Sequence, residues 1–434
     1  FFFFFSLEFS KSLCYDIAQN LRKDTGEITM KNLVVLCDGM ADYKFAPLGN
    51  QTPMTVANKP TMNQLAQNGL VGLVKTVGDG FKPGSDVANL SVMGYDPNLY
   101  YTGRSPLEAA SIGIHMTDTD IALRCNLVTL SEEEDYAQRT MVDYCGGDIT
   151  TAEADELIQA LKKAFVDSDE FTLYTGVSYR HCLIWHSGSS EIGELTPPHD
   201  ISGQKITDHL PTTPAGKKLL AMMKKSYEVL KNHPVNQKRV ERGLRPANSM
   251  WLWGDGKAVS LPSFEEKYGL KGAVISAVDL IKGIGKLARM DVIEVEGATG
   301  YLDTNFDGKA QAAMDALKDH DFVYVHVEAP DECGHRCEPE NKVKALELID
   351  EKILTPCLNF LDENYQDYRI LVMPDHATPL ALRTHVSDPI PFLMYRKSKA
   401  QPHPNMEVYD EDHAAATGVY IDFGPDILKT FLNY

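Results

Sequence analysis

The stretch FVYVHVEAPDECGH, residues 322–335, decides the fold class, because an apolar strand-like run leads directly into side chains that bind metals. Two other short apolar runs have the same design. NLVVLCDG places Asp38 after its last strand-like residue, and ILVMPDH ends on Asp375 and His376. Continuous apolar runs of this length are typical of strands buried on both faces of a parallel sheet. Ligands bind beyond the carboxyl ends of such strands, so the three ends predict one shared site.

The side chains at these strand ends are the strongest candidate site in the chain. Carboxylate oxygens and imidazole nitrogens together suit manganese, zinc or iron, and suit magnesium less well. Asp331 and His335 are four residues apart and would share one face of a helical turn. Asp375 and His376 are adjacent and would point in different directions from a strand end. They could therefore bind two neighbouring metals, or one of them could bind a metal while the other supports that ligand. The predicted metal-type residues are Asp38, Asp331, His335, Asp375, His376 and His385.

The pattern along the chain predicts two domains. At 434 residues the chain is too long for one ordinary core. An alternation of strands and helices is interrupted at about residue 100 by a more charged region, and it returns at SMWLWGDGK. We therefore predict a discontinuous α/β domain of residues 30–99 and 247–434 that carries the metal-type residues. Residues 100–246 form an inserted, smaller α/β domain that could close over it as a substrate-binding cap.

The start of the chain departs from this pattern. Residues 1–29 begin with FFFFF and contain no methionine. They have no basic region before the phenylalanines and no long apolar core, so a signal peptide is not predicted. Met30, just before the first strand, is the expected natural start, and the preceding segment is interpreted as an extension without a chemical role.

Composition excludes several classes of protein. A net charge of −19 argues against general affinity for nucleic acid or anionic membranes. No apolar run is long enough to span a membrane. The eight cysteines form no regular framework and are interpreted as reduced thiols of a cytoplasmic protein. Cys333 and Cys337 flank His335, but this C-x3-C spacing lacks the second Cys/His pair of a structural zinc site.

Ser85, in KPGSDVANLS, is the candidate nucleophile. A serine hydroxyl is a poor nucleophile unless a base or a metal lowers its pKa. Gly84 allows the backbone to approach closely, and Ser85 opens an apparent helix whose N–H groups could hold a phosphate. Because Gly-Ser-Asp is also a routine helix cap, this assignment depends on the metal set.

Polar residues of the predicted insert are candidate substrate contacts, since arginine forks match phosphate and carboxylate geometry. Each of them could instead be a surface cation or an ion-pair partner. The chain has no GxxxxGK[ST] loop and no convincing GxGxxG, so nothing supports P-loop ATP use or Rossmann nicotinamide use. The candidates are Arg104, Arg124, Asn126, Arg180 and His181.

Eight motifs together resemble the cofactor-independent phosphoglycerate mutases, in their shorter, archaeal-type branch within the alkaline phosphatase superfamily. The resemblance covers Met30 to Tyr434. It implies an alkaline-phosphatase-like, mostly parallel sheet flanked by helices, with an inserted α/β cap domain. The motifs are LCDGMAD, PGSDVANLSVMGYDP, YYTGRSPLEAA, RCNLVT, SYRH, EAPDECGH, PDHATP and THVSDPIPF.

The resemblance also implies the chemistry. It implies two divalent metal ions, with manganese as the first choice and magnesium, zinc or cobalt as alternatives. It also implies that 2,3-bisphosphoglycerate is not used. Ser85 would take the phosphoryl group of 3-phosphoglycerate and return it to the 2-hydroxyl, in glycolysis and gluconeogenesis. Lys267, in FEEKYG, resembles a family lysine near the phosphate. One metal would be held by Asp38, Ser85, Asp375 and His376, and the other by Asp331, His335 and His385.

The phosphoryl acceptor stays open at this point. Relatives that carry GRSPLEAA include proposed homoserine kinases, so a kinase of that kind or a phosphomonoesterase is the alternative. A non-catalytic relative would be expected to have lost some metal-type residues, and none is missing here. The sequence does not distinguish a monomer from a homo-oligomer.

Overall fold

The computed structural model describes residues 30–166, 168–403 and 406–434, which form two separate sheets. The predicted extension, residues 1–29, lies outside the described residues. The strands are β1 Lys31–Cys37, β2 Leu70–Val74, β3 Ile121–Leu130, β4 Met141–Asp143, β5 Phe171–Val177, β6 Arg180–Trp185, β7 Ser249–Lys257, β8 Gly272–Ile275, β9 Asp291–Ile293, β10 Phe322–Val327, β11 Tyr368–Met373, β12 Ile390–Arg396 and β13 Tyr420–Ile421.

Helices surround both sheets. The α-helices are α1 Pro53–Val56, α2 Pro60–Gln67, α3 Ser85–Val92, α4 Pro97–Tyr100, α5 Arg104–Ser111, α6 Thr151–Leu161, α7 Pro214–Leu230, α8 Pro234–Glu241, α9 Phe264–Tyr268, α10 Asp279–Leu287, α11 Phe306–Asp319, α12 Ala329–Arg336, α13 Pro339–Ile349, α14 Thr355–Asn364, α15 Glu411–Ala416 and α16 Asp426–Asn433. Two π-helical segments, Lys162–Val166 and Asp350–Leu354, follow α6 and α13. Among the described helices, none is long and apolar enough to cross a membrane.

The larger sheet has eight strands in the order β13-β2-β12-β11-β1-β10-β8-β9. Only β12 runs antiparallel to its neighbours in this order. Every residue of β1 is buried, as expected for a strand covered on both faces. β1 lies between β10 and β11 and is parallel to both, so the carboxyl ends of the three metal-type strands meet at one edge. The expected mostly parallel α/β fold is confirmed.

The second sheet has five strands and its own hydrophobic core. β3 pairs antiparallel with β4, β6 and β7. The boundary predicted at residue 247 therefore differs from the structure, because β7 belongs to the second sheet and this sheet extends to Lys257. The apolar run SMWLWG predicts a strand correctly, but a strand pattern does not specify which sheet the strand joins.

Helix α5 lies at the junction between the two cores. A Cβ atom added to Gly283 of α10 would lie 1.9 Å from the carbonyl oxygen of Leu107, so glycine is required for this close approach of α5 to the larger domain. On its other side, the Ser105 hydroxyl donates to the carbonyl oxygen of Gly254 in β7. The residues of α5 are thereby held against both domains.

A buried ion pair fastens the loops that follow β1 and β11. The ammonium group of Lys342, in α13, lies 2.8 Å from Asp42 Oδ2 and donates to the carbonyl oxygen of Thr378, also at 2.8 Å. Asp42 in turn accepts from the backbone N–H of Leu380. The side chains of Lys342 and Asp42 are 0% and 1% exposed, so neither charge can be compensated by water.

We expect Lys342→Met to lower the free energy of unfolding by about 3–5 kcal/mol, because it leaves the Asp42 carboxylate buried and unpaired. Lys344→Met, in the same helix, removes an exposed pair with Glu347 and should cost less than about 1 kcal/mol. Urea denaturation of both variants measures the difference. Equal losses would contradict a structural role for the buried pair.

Candidate active site and metal centre

Three buried residues form the first candidate metal group. Asp38, Asp375 and His376 offer ligand atoms that all lie within 4.8 Å of one another. His376 Nε2 lies 3.4 Å from Asp375 Oδ2 and 3.6 Å from Asp38 Oδ1. Burial, and then the neighbouring carboxylates Asp375 and Asp331, raise the pKa of Asp38 well above its usual value. The protein holds these carboxylates close together although their negative charges repel each other. A bound cation would replace this repulsion by attraction.

One oxygen of this group tests whether a metal fits. Asp38 Oδ2 contacts His326 Nε2 at 3.0 Å, but Asp38 Oδ1 is buried and has no hydrogen-bond partner in the part of the chain that the structure describes. Leaving a buried carboxylate oxygen unpaired is costly. A bound cation would satisfy it, so the donor set fits a metal ion.

The second candidate group contains Asp331, His376 and His385, with His335 beside them. Asp331 lies 3.2 Å from His335 Nε2 and 3.3 Å from His385 Nε2, and these two nitrogens are 2.9 Å apart. Burial would raise the pKa of Asp331, but its bonds with His335 and His385 outweigh burial and hold that pKa well below its usual value. The bond with Asp331 raises the pKa of His335 to about 9. His376 belongs to both groups, so the two candidate centres adjoin.

Ser85 lies at the N-terminus of α3, directly after the extended residue Gly84. Its Oγ is 3.1 Å from Nε2 of His376, the residue shared by the two metal groups. Asn89, one turn further along α3, donates to both Asp375 Oδ2 and the Ser85 carbonyl oxygen at 2.8 Å. Through Asn89, helix α3 therefore fixes the position of Ser85 relative to the carboxylate of Asp375.

Sequence reasoning missed several residues that orient this site. The Tyr324 hydroxyl donates to Asn89 Oδ1 at 2.6 Å. The Thr378 hydroxyl donates to Asp331 Oδ1 and lies 3.3 Å from His376 Nδ1. Burial lowers the pKa of His326 to about 3, so its imidazole is neutral beside Asp38. The available signals were the four-residue spacing of Ser85 and Asn89, and a histidine inside an apolar strand.

A cleft of about 260 Å³ lies between the two domains and is lined by residues of both. Arg104, Arg180 and His181, all predicted substrate contacts, line it together with Glu108 and Glu328. Burial, Asp331 and Glu332 together raise the pKa of Glu328 to about 7. Burial lowers the pKa of His181 to about 3, and its Nε2 has no hydrogen-bond partner among the described residues. The cleft thus combines cationic forks with a neutral imidazole.

The structure does not bring the other predicted contacts to the lining of this cleft. Arg124 lies behind it, with Nε 3.0 Å from Glu108 Oε2. Asn126 donates to the carbonyl oxygen of Tyr144 and accepts from the indole of Trp253. The Lys267 ammonium donates to the carbonyl oxygen of Gly94 and lies 4.6 Å from the centre of the Tyr95 ring. Each of these polar groups already has a partner within the protein.

Comparison with known proteins identifies the family. Residues 66–236 match the model of the family described as "2,3-bisphosphoglycerate-independent phosphoglycerate mutase". A Geobacter sulfurreducens protein named "Probable 2,3-bisphosphoglycerate-independent phosphoglycerate mutase" is 48% identical over 404 residues, 93% of this chain and 100% of that protein. The chain belongs to this mutase family. A Methanosarcina mazei protein named "2,3-bisphosphoglycerate-independent phosphoglycerate mutase" is 48% identical over 384 residues, which cover 88% of this chain and 94% of that protein.

The fold of this mutase-family chain is also similar to a solved structure. A protein from Pyrococcus horikoshii matches with a TM-score of 0.78 and 28% sequence identity, and the match covers 94% of this chain and 97% of the other. The similarity therefore includes both the larger sheet and the inserted domain.

Proposed function

We propose that this chain interconverts 3-phosphoglycerate and 2-phosphoglycerate without 2,3-bisphosphoglycerate, through a phosphoserine at Ser85. The observation that carries the proposal is the 3.1 Å contact between Ser85 Oγ and Nε2 of His376, where the two metal groups adjoin. The names of relatives that are 48% identical over nearly the whole chain support the same activity.

Two divalent metal ions belong to this proposal, with manganese first and magnesium, zinc or cobalt as alternatives. The unpaired Oδ1 of Asp38 and the convergence of His335 and His385 on Asp331 support it. When bound, the ions supply Lewis acidity, which lowers the pKa of the serine hydroxyl and neutralises charge on the phosphoryl group. The proposed ligands are Asp38, Ser85, Asp375 and His376 for one ion, and Asp331, His335 and His385 for the other.

The residues of the chain perform the transfer in two steps. Ser85 Oγ gives up its proton and forms a bond to phosphorus as the bond from phosphorus to the C3 oxygen of the substrate breaks, and that oxygen takes up a proton. The glycerate re-orients while the cleft residues Arg104 and Arg180 hold it. Its 2-hydroxyl then loses a proton and attacks the phosphoserine. The bond between Ser85 Oγ and phosphorus breaks, and Ser85 takes up a proton again. The phosphoryl group is carried by the enzyme between the two steps, so no second phosphorylated molecule is required.

The inserted domain acts as a cap in this proposal. Because the cleft lies between the two domains, their approach would exclude water and protect the phosphoserine from hydrolysis. A small phosphorylated molecule is the proposed partner, since the net charge of −19 disfavours nucleic acid. The proposed location is the cytoplasm, where the cysteines of the described residues, which are all free, would stay reduced.

The test is a substrate panel on metal-loaded protein. We expect purified protein with manganese to convert 3-phosphoglycerate to 2-phosphoglycerate with no added 2,3-bisphosphoglycerate. Chelation should abolish turnover, and added metal should restore it. An absence of turnover with each of the four metals would refute the proposal. Phosphorylation of homoserine from a nucleotide, without mutase turnover, would establish the alternative kinase.

A further inference from the structure

Glu108, in α5, bridges two of the arginines near the cleft. Its Oε1 accepts a hydrogen bond from Arg104 Nε at 2.8 Å, and its Oε2 lies 3.0 Å from Arg124 Nε. Glu108 itself lines the cleft, as does Arg104. One carboxylate therefore connects an arginine of the junction helix with an arginine of β3.

The two arginines differ in their surroundings. The side chain of Arg124 is 12% exposed, and its guanidinium carbon lies 4.2 Å from the centre of the Trp253 ring. The Trp253 indole donates to Asn126 Oδ1 at 3.0 Å, which fixes the ring in the second sheet. Arg124 is thus held by cation–π stacking and is a rigid support behind Glu108.

Arg104 is the more exposed of the two arginines that Glu108 contacts. Its side chain is 43% exposed, and Nε is the atom that binds Glu108. Among the residues that the structure describes, none hydrogen-bonds to the Nη atoms of Arg104. The terminal fork is therefore available for a carboxylate or phosphate, while Nε fixes the direction of the guanidinium plane.

Glu108 remains ionised in this setting. Burial opposes the charge, but the positive charges of Arg124 and Arg104 outweigh burial and lower the pKa of Glu108. A charged carboxylate between two guanidinium groups also reduces their mutual repulsion. Both arginines can then stay close together and in one orientation.

We propose that Glu108 is a positioning residue that fixes the Arg104 guanidinium toward an anionic group of the substrate, with Arg124 stacked on Trp253 as its support. This inference rests on the proposed mutase function and deepens it, since it assigns a residue that sets the affinity for phosphoglycerate. Glu108 acts through Arg104 and does not itself bind the substrate.

Charge alone predicts the opposite effect from positioning. Glu108→Gln removes a negative charge from the cleft, so simple electrostatic attraction would lower KM for an anionic substrate. If Glu108 orients Arg104, the same change frees the guanidinium and raises KM. The sign of the change therefore separates the two roles.

The experiment compares steady-state kinetics of four proteins: the wild type, Glu108→Gln, Arg104→Ala and the double variant. We expect Glu108→Gln to raise KM for 3-phosphoglycerate about tenfold with kcat within about threefold, as expected for an interaction equal in ground and transition states. The double variant should have the KM of Arg104→Ala alone, because Glu108 acts through that arginine. A lowered or unchanged KM in folded Glu108→Gln, or additive effects in the double variant, would overturn the inference.

Glu153→Gln is the matched control. Glu153 also bridges two arginines, with Oε2 2.6 Å from Arg239 Nη1 and Oε1 on Arg242, but it lies in α6, outside the cleft lining. It should leave KM unchanged. If Glu108→Gln does not fold, Glu108→Asp, which keeps the charge but shortens its reach, replaces it. Failure of both to fold would identify Glu108 as structural and overturn the inference, whereas an inactive wild type would refute the mutase proposal itself.

Discussion

Ser85→Ala is expected to lower mutase turnover by at least about a thousandfold, because alanine has no oxygen to receive the phosphoryl group. The fold should be unchanged, since the substitution removes one atom at the partly exposed start of α3. The metal content should remain close to that of the wild type, because carboxylate and imidazole ligands persist on both sides. Steady-state assay, circular dichroism and elemental analysis measure these three quantities.

Ser91→Ala is the control for this experiment. Ser91 lies in the same helix, and its buried hydroxyl has no hydrogen-bond partner among the described residues. Its removal should change turnover by less than about twofold. More than a few per cent of activity in Ser85→Ala would refute the assignment of the nucleophile. When wild-type protein is mixed with 3-phosphoglycerate and the reaction is quenched during turnover, mass spectrometry should find phosphate on the peptide that contains Ser85.

Asp331→Asn is expected to reduce bound metal from two ions to one and to lower kcat by more than about a hundredfold. Asparagine has the same shape but lacks the negative charge that faces His335 and His385 at 3.2 and 3.3 Å. The other group, Asp38, Asp375 and His376, should keep its ion. Elemental analysis of metal-saturated protein and steady-state kinetics test both parts.

Glu332→Gln provides the matched change in the adjacent residue. Glu332 is partly exposed and pairs with Arg336 at 3.1 Å. Its loss should leave metal content and kcat near their wild-type values. Two bound ions and normal kcat in Asp331→Asn would contradict the second metal site.

The sequence was sufficient to place the metal-type residues because their positions follow from strand geometry. Parallel strands end at the same edge, so Asp38, Asp331 and Asp375 had to converge once three buried strands were recognised. The four-residue spacing of Asp331 and His335 likewise fixed their common face on α12. His385 was included in the same set because it follows soon after ILVMPDH in the sequence, but it lies in a loop, so strand geometry does not fix its position.

The substrate contacts could not be placed in the same way. Arg124, Asn126 and Lys267 carry the right chemical groups, but their partners Glu108, Trp253 and Gly94 come from distant parts of the chain. Whether an arginine faces a cleft or an ion-pair partner is determined by such tertiary contacts. The pairing of β7 with β3 was unpredictable for the same reason, since strand propensity does not encode the neighbouring strand.

The ion pair between Lys342 and Asp42 has a consequence for the binding of the proposed metal ions. Lys342 contacts Asp42 after β1 and Thr378 after β11, and Asp42 also accepts from the N–H of Leu380. The two loops are thus joined without the use of any proposed metal ligand. These loops are therefore preorganised by the protein alone, and cation binding does not have to supply the free energy of ordering them. The proposed ions would then exchange at a rigid site, and we expect that their removal leaves the hydrogen-exchange protection of both loops largely intact.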